Sequence, residues 1–344
     1  MADVTDAFDR ASDAVGEARE SGEVRESLGA RALGGDDRGQ LMLVAALAIA
    51  VLLVGLALTL NTAIYTENLA TRTTDTNLDG AVTHGGAVEA GAGAVLDETN
   101  REGGTYGELA DEFDETFGNW SDAAATLAAV RGAATDAERV SHVRGTRISQ
   151  TDAARNFTDR NETADWTLAS DVGVRGVRFN VSRDSLATSS GSAFELVVDD
   201  GSDVVEAELY QNTTQGRVFV TVVDAGGTRT TCSVAADAGD YVTVDVADGR
   251  LNGTACDPLD AVHTDLDAPV TVSYRNAAAA EGSYELYVDE TNATVFDATK
   301  YEPAGSGSSP VAQEALYAVT VSYVYESGET YVSREVRVAP GEIA

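Results

Sequence analysis

The sequence predicts an α+β protein in three parts: one N-terminal transmembrane helix, a helical stalk, and an antiparallel β-sandwich ectodomain of Ig-like layering. Three observations carry this reading. Gln40–Leu60 runs for 21 residues without a charge. The Ala/Gly-rich stretch up to about residue 150 shows helical periodicity. From Asp165 onward apolar residues alternate with period two between frequent turns.

The apolar run, QLMLVAALAIAVLLVGLALTL, would reach about 31 Å as a helix, enough to cross one bilayer core. Arg25, Arg31 and Arg38 precede it, whereas only Arg72 follows at comparable distance. The positive-inside rule therefore places residues 1–39 in the cytoplasm and everything after Asn61 outside. Residues 1–39, with Val4, Phe8, Ala11, Val15 and Ala18 near helical spacing, read as a cytoplasmic leader or tail. Residues 40–60 span the membrane, with lipid as partner, and residues 61–150 form the external stalk. Within the stalk, helices are predicted over Ala81–Asn100, Tyr106–Phe117 and Trp120–Ile148. The last has Ser121 as N-cap and Leu127, Val130, Ala134, Ala137 and Val140 on one face.

Residues 151–344 supply the β-domain. Predicted strands are Trp166–Val174, Val177–Val181, Ala193–Asp199, Val204–Gln211, Arg217–Val223, Thr228–Val234, Tyr241–Val246, Val270–Tyr274 and Ser283–Val288. A hairpin pairs Tyr317–Tyr325 with Tyr331–Val338 around Glu326–Glu329. On its first strand Tyr317, Val319, Val321, Tyr323 and Tyr325 share a face, as in a half-buried antiparallel strand.

Composition narrows the function. With 57 acidic residues against 23 basic ones, the net charge is −34. No basic stripe is available to neutralise phosphates, which excludes nucleic acid as a partner and argues against attraction to an anionic membrane surface. The 43% hydrophobic content still supports a packed core. Lys300 is the single lysine, and so acidic, lysine-poor a chain resembles proteins of salt-in halophilic archaea.

The part after residue 60 reads as exported. All twelve asparagines lie there, seven in N-x-[ST] sequons: Asn119, Asn156, Asn161, Asn180, Asn212, Asn252 and Asn292. Chance predicts about two, so the excess points to glycosylation. Cys232 and Cys256, the only cysteines, sit at a spacing suited to a disulfide closing a strand-pair loop, worth roughly 3 kcal/mol; two buried free thiols are the competing reading.

Catalytic signatures are missing. His84, His142 and His263 are scattered, and no H-E-x-x-H, Walker loop or G-x-S-x-G elbow occurs. The expectation is a protein without enzymatic activity, cofactor or metal. One stretch, Asp75-Thr76-Asn77-Leu78-Asp79-Gly80, matches the first half of a calcium loop, with Asp75, Asn77 and Asp79 as candidate ligands. Gly86 stands at the twelfth position, where a bidentate Glu is needed, so a solvated helix-breaking turn is the preferred reading.

The junction Asp36-Asp37-Arg38-Gly39-Gln40-Leu41 resembles the class III, prepilin-type signal of archaea. More broadly, residues 36–72 look like the N-termini of TadE/TadG-type and haloarchaeal pilin-like proteins. The resemblance implies cutting by a prepilin peptidase between Gly39 and Gln40, with Arg38 at −2. It also implies retention of the hydrophobic helix and its packing with like or related pilin subunits. Ala45, Ala46, Ala48, Gly55 and Ala57 would form that contact. The expected function is a pilin-like surface subunit displaying a glycosylated β-domain for adhesion or envelope interaction. Its alternatives are a monomeric signal-anchored protein binding an envelope or surface ligand, and an exported hydrolase.

Overall fold

The computed structural model describes residues 79–328 and 330–343. Helix α1 occupies 79–102 in the described residues. Val88, Ala92, Val95, Leu96, Thr99 and Asn100 are buried along one stripe, the spacing of an amphipathic helix lying on a core. Helix α2, Tyr106–Val130, starts at a capping box in which the Thr105 N–H donates to Glu108 and the Glu108 N–H returns to Thr105 Oγ1.

Here the structure departs from the predicted stalk. Tyr106–Phe117 and the start of the next predicted helix are one helix, because Leu109, Phe113, Phe117 and Ser121 form an unbroken buried i, i+4 row through Gly118 and Asn119. Ser121 is no cap; its Oγ accepts from the Ala137 N–H at 3.0 Å. The helix stops at Gly132, which takes φ +79° while the Ala133 N–H bonds back to Ala128 O, a left-handed C-terminal closure. The chain predicted as helical up to Ile148 is instead strand β1, Ala134–Gln150. The face expected of Leu127, Val130 and Val140 does not form, and all three are exposed.

The remaining elements are β2 Trp166–Val172, β3 Val174–Ser182, β4 Phe194–Asp199, β5 Val204–Asn212, β6 Arg217–Val223, β7 Arg229–Ala235 and β8 Tyr241–Asp245. They continue with β9 Arg250–Leu251, β10 Thr254–Ala255, α3 Ala261–Thr264, β11 Val270–Arg275, β12 Gly282–Val288, α4 Asn292–Val295, β13 Val311–Ser327, β14 Thr330–Val338 and β15 Glu342–Ile343. A nine-stranded antiparallel sheet runs β10-β9-β8-β3-β12-β1-β13-β14, with β15 added beside β3. A six-stranded one runs β2-β11-β4-β5-β6-β7. The two share one core, in which Phe157, Phe179, Phe194, Tyr274 and Tyr284 meet as edge-to-face and stacked rings.

β1 and β13 are 17 residues each and serve two layers. Ile148 and Ala312 belong to the inter-sheet core. Leu316, Val319, Val321 and Tyr323 pack instead against Val88, Leu96, Phe113 and Phe117 of the two helices. The helices are therefore a layer on the large sheet, and residue 150 ends a strand inside that sheet rather than marking a boundary between stalk and sandwich. Two register shifts interrupt the β1–β13 ladder, one leaving Val140 unopposed and the other Tyr317. The second moves Tyr317 off its predicted face, into a cluster with Tyr287, Ala315 and Ala318.

Candidate functional site

Arg38, Gly39, Gln40, Ala45, Ala46, Ala48, Gly55 and Ala57 lie outside the described residues, as do Asp75 and Asn77. Asp79 is exposed and helical, and Gly80 is helical too, so the last two residues of the predicted turn belong to α1. A Cβ on Gly80 would come within 2.3 Å of the Tyr325 hydroxyl; the glycine permits close approach of helix and sheet. Among the described residues no three His, Cys, Asp or Glu side chains come together as metal ligands, and no helix is long and apolar enough to cross a membrane.

Cys232 and Cys256 are bonded, with Cα atoms 5.6 Å apart. The link joins no hairpin. Cys232 is on β7, the last strand of the six-stranded sheet, and Cys256 directly follows β10, the last strand of the nine-stranded one. The bond ties the margins of the two sheets together. Of the sequon asparagines, Asn119, Asn161 and Asn252 are exposed, while Asn156, Asn180, Asn212 and Asn292 are half-buried. Asn156 and Asn161 use their Nδ2 atoms on the carbonyls of Ala278 and Thr299.

The histidines are not bare surface residues. His84 lies against Tyr323 and Tyr325, and burial lowers its pKa. His142 meets Arg139 at 2.9 Å; burial, then the charges of Arg139 and Arg144, lower its pKa as well.

The most constrained polar arrangement lies where α1 meets β13. β14 pairs with β13 only from Val319 onward, so Leu316 and Tyr317 have no β14 partner. Two side chains take that place. Asn100, fully buried at the end of α1, donates from Nδ2 to Leu316 O and accepts at Oδ1 from Leu316 N, both at 2.8 Å. Arg175 of β3, with a side chain 0% exposed, donates from Nε to Tyr317 O (2.6 Å), from Nη2 to Leu316 O (3.1 Å) and from Nη1 to Asp97 Oδ1 of α1 (2.9 Å). Its guanidinium lies 4.2 Å from the Tyr287 ring centroid. One buried cation thus fixes α1, β3 and the β13 bulge in a single geometry. Sequence reasoning missed it. The available signal was a charged residue in an otherwise apolar, alternating strand, Val174-Arg175-Gly176-Val177.

Beside this clamp an open trough follows α1 and β14. It consists of two adjoining hollows of about 810 and 400 Å³ that share Gly86 and Glu89. Small residues of α1 (Gly86, Ala90, Gly93, Ala94) form one wall, and β14 with the Pro340–Gly341 bend forms the other. No strand covers the outer edge of β14 among the described residues. In the upper hollow both arginines are paired, while Glu89 and Asp248 have no ion-pair partner among the described residues. Arg178 pairs with Asp245 at 2.5 Å and Arg337 pairs with Glu342; that bond, first among its causes, lowers the Glu342 pKa. In the lower hollow Val332, Val336 and Val82 meet Arg334, which is exposed and has no ion-pair or hydrogen-bond partner among the described residues. The chemistry of such a trough is mixed: an apolar floor, a small-residue wall, and charges of both signs, with Glu89 and Glu335 beside Arg334 in the lower hollow.

Comparison with known protein families, with curated proteins and with solved structures finds no match for the chain in any of the three.

Proposed function

We propose that the chain is a pilin-like subunit of a cell surface, held by residues 40–60 and presenting its β-domain outside, N-terminus inward. The observation that carries this is the Arg38-Gly39-Gln40 junction set directly before 21 uncharged residues. In this reading a prepilin peptidase releases residues 1–39. The hydrophobic helix stays in lipid or packs with like or related subunits through Ala45, Ala46, Ala48, Gly55 and Ala57. The two-sheet domain then follows the layering of Ig-like sandwiches, with glycans on sequon asparagines of which Asn119, Asn161 and Asn252 are the most open. A disulfide at the sheet margins suits an oxidising exterior. The acidic composition suits molar salt, where charges are screened beyond about 3 Å. The work of such a protein is assembly and adhesion to an envelope or surface ligand.

The test is the mature N-terminus, read by mass spectrometry from membranes prepared at high salt. A peptide beginning at Gln40 supports the reading. Mature protein with residues 38–40 still joined in one peptide refutes processing and leaves a signal-anchored binding protein.

A further inference from the structure

The outer face of the nine-stranded sheet changes character along its width. The helices pack against β13 and β14, whereas the outer side chains of β12, β3 and β8 are polar. Glu285, Arg178 and Asp245 form one cross-strand row there, and Ser283, Asn180 and Thr243 form the next. Over these rows lies an open hollow of about 220 Å³, room for one sugar ring, whose polar lining includes Arg101, Arg147, Arg178, Asn180, Ser283 and Glu285. Its arginines do not make an anion site. Arg147 pairs with Glu285 at 3.0 Å, Arg178 with Asp245 at 2.5 Å and Arg101 with Glu98 at 3.1 Å. Asp97, the next carboxylate toward Arg178, is held by Arg175. Charge is balanced, and hydrogen-bonding capacity remains: Arg147, 12% exposed, leaves its buried Nε without a partner among the described residues. A neutral polyhydroxyl group suits such a lining better than an ion.

We propose that this hollow seats the first sugar of an N-linked glycan on Asn180 itself. The inference rests on the glycosylation part of the reading above and assigns it one site. Asn180-Val181-Ser182 is a sequon, and the Asn180 carboxamide lines the hollow with no hydrogen-bond partner among the described residues. Other sequons differ. Asn156 also lines a hollow, but its Nδ2 is committed to Ala278 O at 2.8 Å. Asn161 commits Nδ2 to Thr299 O at 2.6 Å, and the Asn212 Oδ1 accepts from the Gln215 N–H. In the covalent step a glycosyltransferase joins Nδ2 to C1 of a phosphate-activated sugar donor. The C1–O bond to the phosphate breaks, the phosphate leaves with the electron pair, and Nδ2 gives up one proton. β3 has β12 and β8 on its two sides, so transfer precedes closure of the sheet, and folding then lays the sugar on the outer face.

Tyr241 completes the seat. It is 45% exposed and stands opposite Ser182 on β8, diagonal to Asn180 at about 7–8 Å, a spacing within reach of an aromatic side chain. Its hydroxyl approaches Ala153 O at 3.5 Å, two residues beyond Thr151, which also lines the hollow. An aromatic ring offers apolar contact to the C–H bonds of a sugar, while the arginine–carboxylate pairs and Ser283 offer hydrogen bonds to its hydroxyls.

The test takes the full chain from its own membrane at molar salt. Trypsin, cutting after Arg178 and Arg183, releases Phe179–Arg183, which carries this sequon and no other. Mass spectrometry should find that peptide glycosylated. Ser182→Ala, which ends acceptance at Asn180, should lower the urea midpoint, whereas Thr254→Ala, which ends it at Asn252, should leave the midpoint unchanged. Made in a host without N-glycosylation, Ser182→Ala should also change nothing, which separates loss of the sugar from loss of the hydroxyl. Tyr241→Ala should cut the Ser182→Ala shift by about half or more. A bare Phe179–Arg183 beside glycosylated peptides from other sequons overturns the Asn180 seat and leaves the glycosylation reading standing. Bare peptides at all seven sequons remove that reading as well. A glycosylated peptide with equal midpoints for Ser182→Ala and the parent chain means a sugar attached but unseated, and overturns the seat. A bare peptide in a protein that added glucose or N-acetylglucosamine stabilises, an effect lost in Tyr241→Ala, makes the hollow a site for free saccharide and overturns the attached one.

Discussion

The buried Arg175 makes an asymmetric prediction about its own ion pair. Asp97 is 31% exposed, whereas the Arg175 side chain is 0% exposed. Removing the cation, Arg175→Met, frees a carboxylate that water can reach. The loss is then the bond to Tyr317 O, left buried at about 1–3 kcal/mol, plus about 1–2 kcal/mol of contact with the Tyr287 ring. Leu316 O keeps its bond from Asn100. Relief from burying a guanidinium offsets part of this, so the net is about 2–3 kcal/mol. Removing the half-open partner is worse. Asp97→Ala strands a guanidinium with two carbonyls and no counter-charge, at about 3–5 kcal/mol. The double variant, with no stranded charge, should cost no more than Arg175→Met. Urea unfolding at constant molar salt, followed by tryptophan fluorescence, measures all three. A loss below about 1 kcal/mol for Asp97→Ala, or a double variant equal to the sum of the singles, would refute the reasoning.

Replacing Cys232 and Cys256 by Ala, or reducing the wild type, should lower stability by roughly 3 kcal/mol in the same assay, since the bond closes a 24-residue separation. Gly91→Ala pushes a Cβ to 2.5 Å from Trp120 and should cost about 1–3 kcal/mol. Gly86→Ala meets nothing within 4 Å and should gain about 0.5–1 kcal/mol, so the two urea midpoints should move in opposite directions. Acid should weaken the fold through His84 and His142. Burial lowers both pKa values in the folded state, so the unfolded chain binds more protons as pH falls below about 6.5; the double variant to Gln should flatten the pH–stability curve there. Alkali should act through the phenols. Burial raises Tyr274, Tyr284, Tyr301 and Tyr317 well above 10 and pushes Tyr287 up to about 12. Each then destabilises by about 1.4 kcal/mol per pH unit from pH 10 to its folded value, giving a steep loss measurable by circular dichroism.

The β-domain was legible strand by strand because its segments alternate. Arg217–Val223 falls where predicted, and Val204–Asn212 extends its predicted strand by one residue. β1 was not, for a reason visible in its register. Ala134–Gln150 carries polar residues on both faces, a shift at Val140 resets its parity, and the alanines after Gly132 continue the look of α2. Gly132 itself was the missed stop signal. The hairpin is tighter than predicted: Ser327 pairs with Thr330 across Gly328 at φ +59°. The Cys232–Cys256 bond was readable as a pair but not as a link between sheets, since spacing reports loop length and not which edges meet. Arg175 and Asn100 act through partners more than 70 residues away, and Arg334 has none among the described residues, so no local pattern could single them out.

The sharing of β1 and β13 between two layers has a mechanical consequence. Tension drawn along α1 from its N-terminal end reaches the sandwich through the α1 clamp on β13 and through β1, reached by way of α2. These strands lie side by side over almost all of their 17 residues. A load applied lengthwise to such a pair falls on its hydrogen bonds together, as shear, instead of opening them one at a time like a zip. Each strand is flanked on its other side over part of its length, β1 by β12 along Thr146–Gln150 and β13 by β14 along Val319–Ser327.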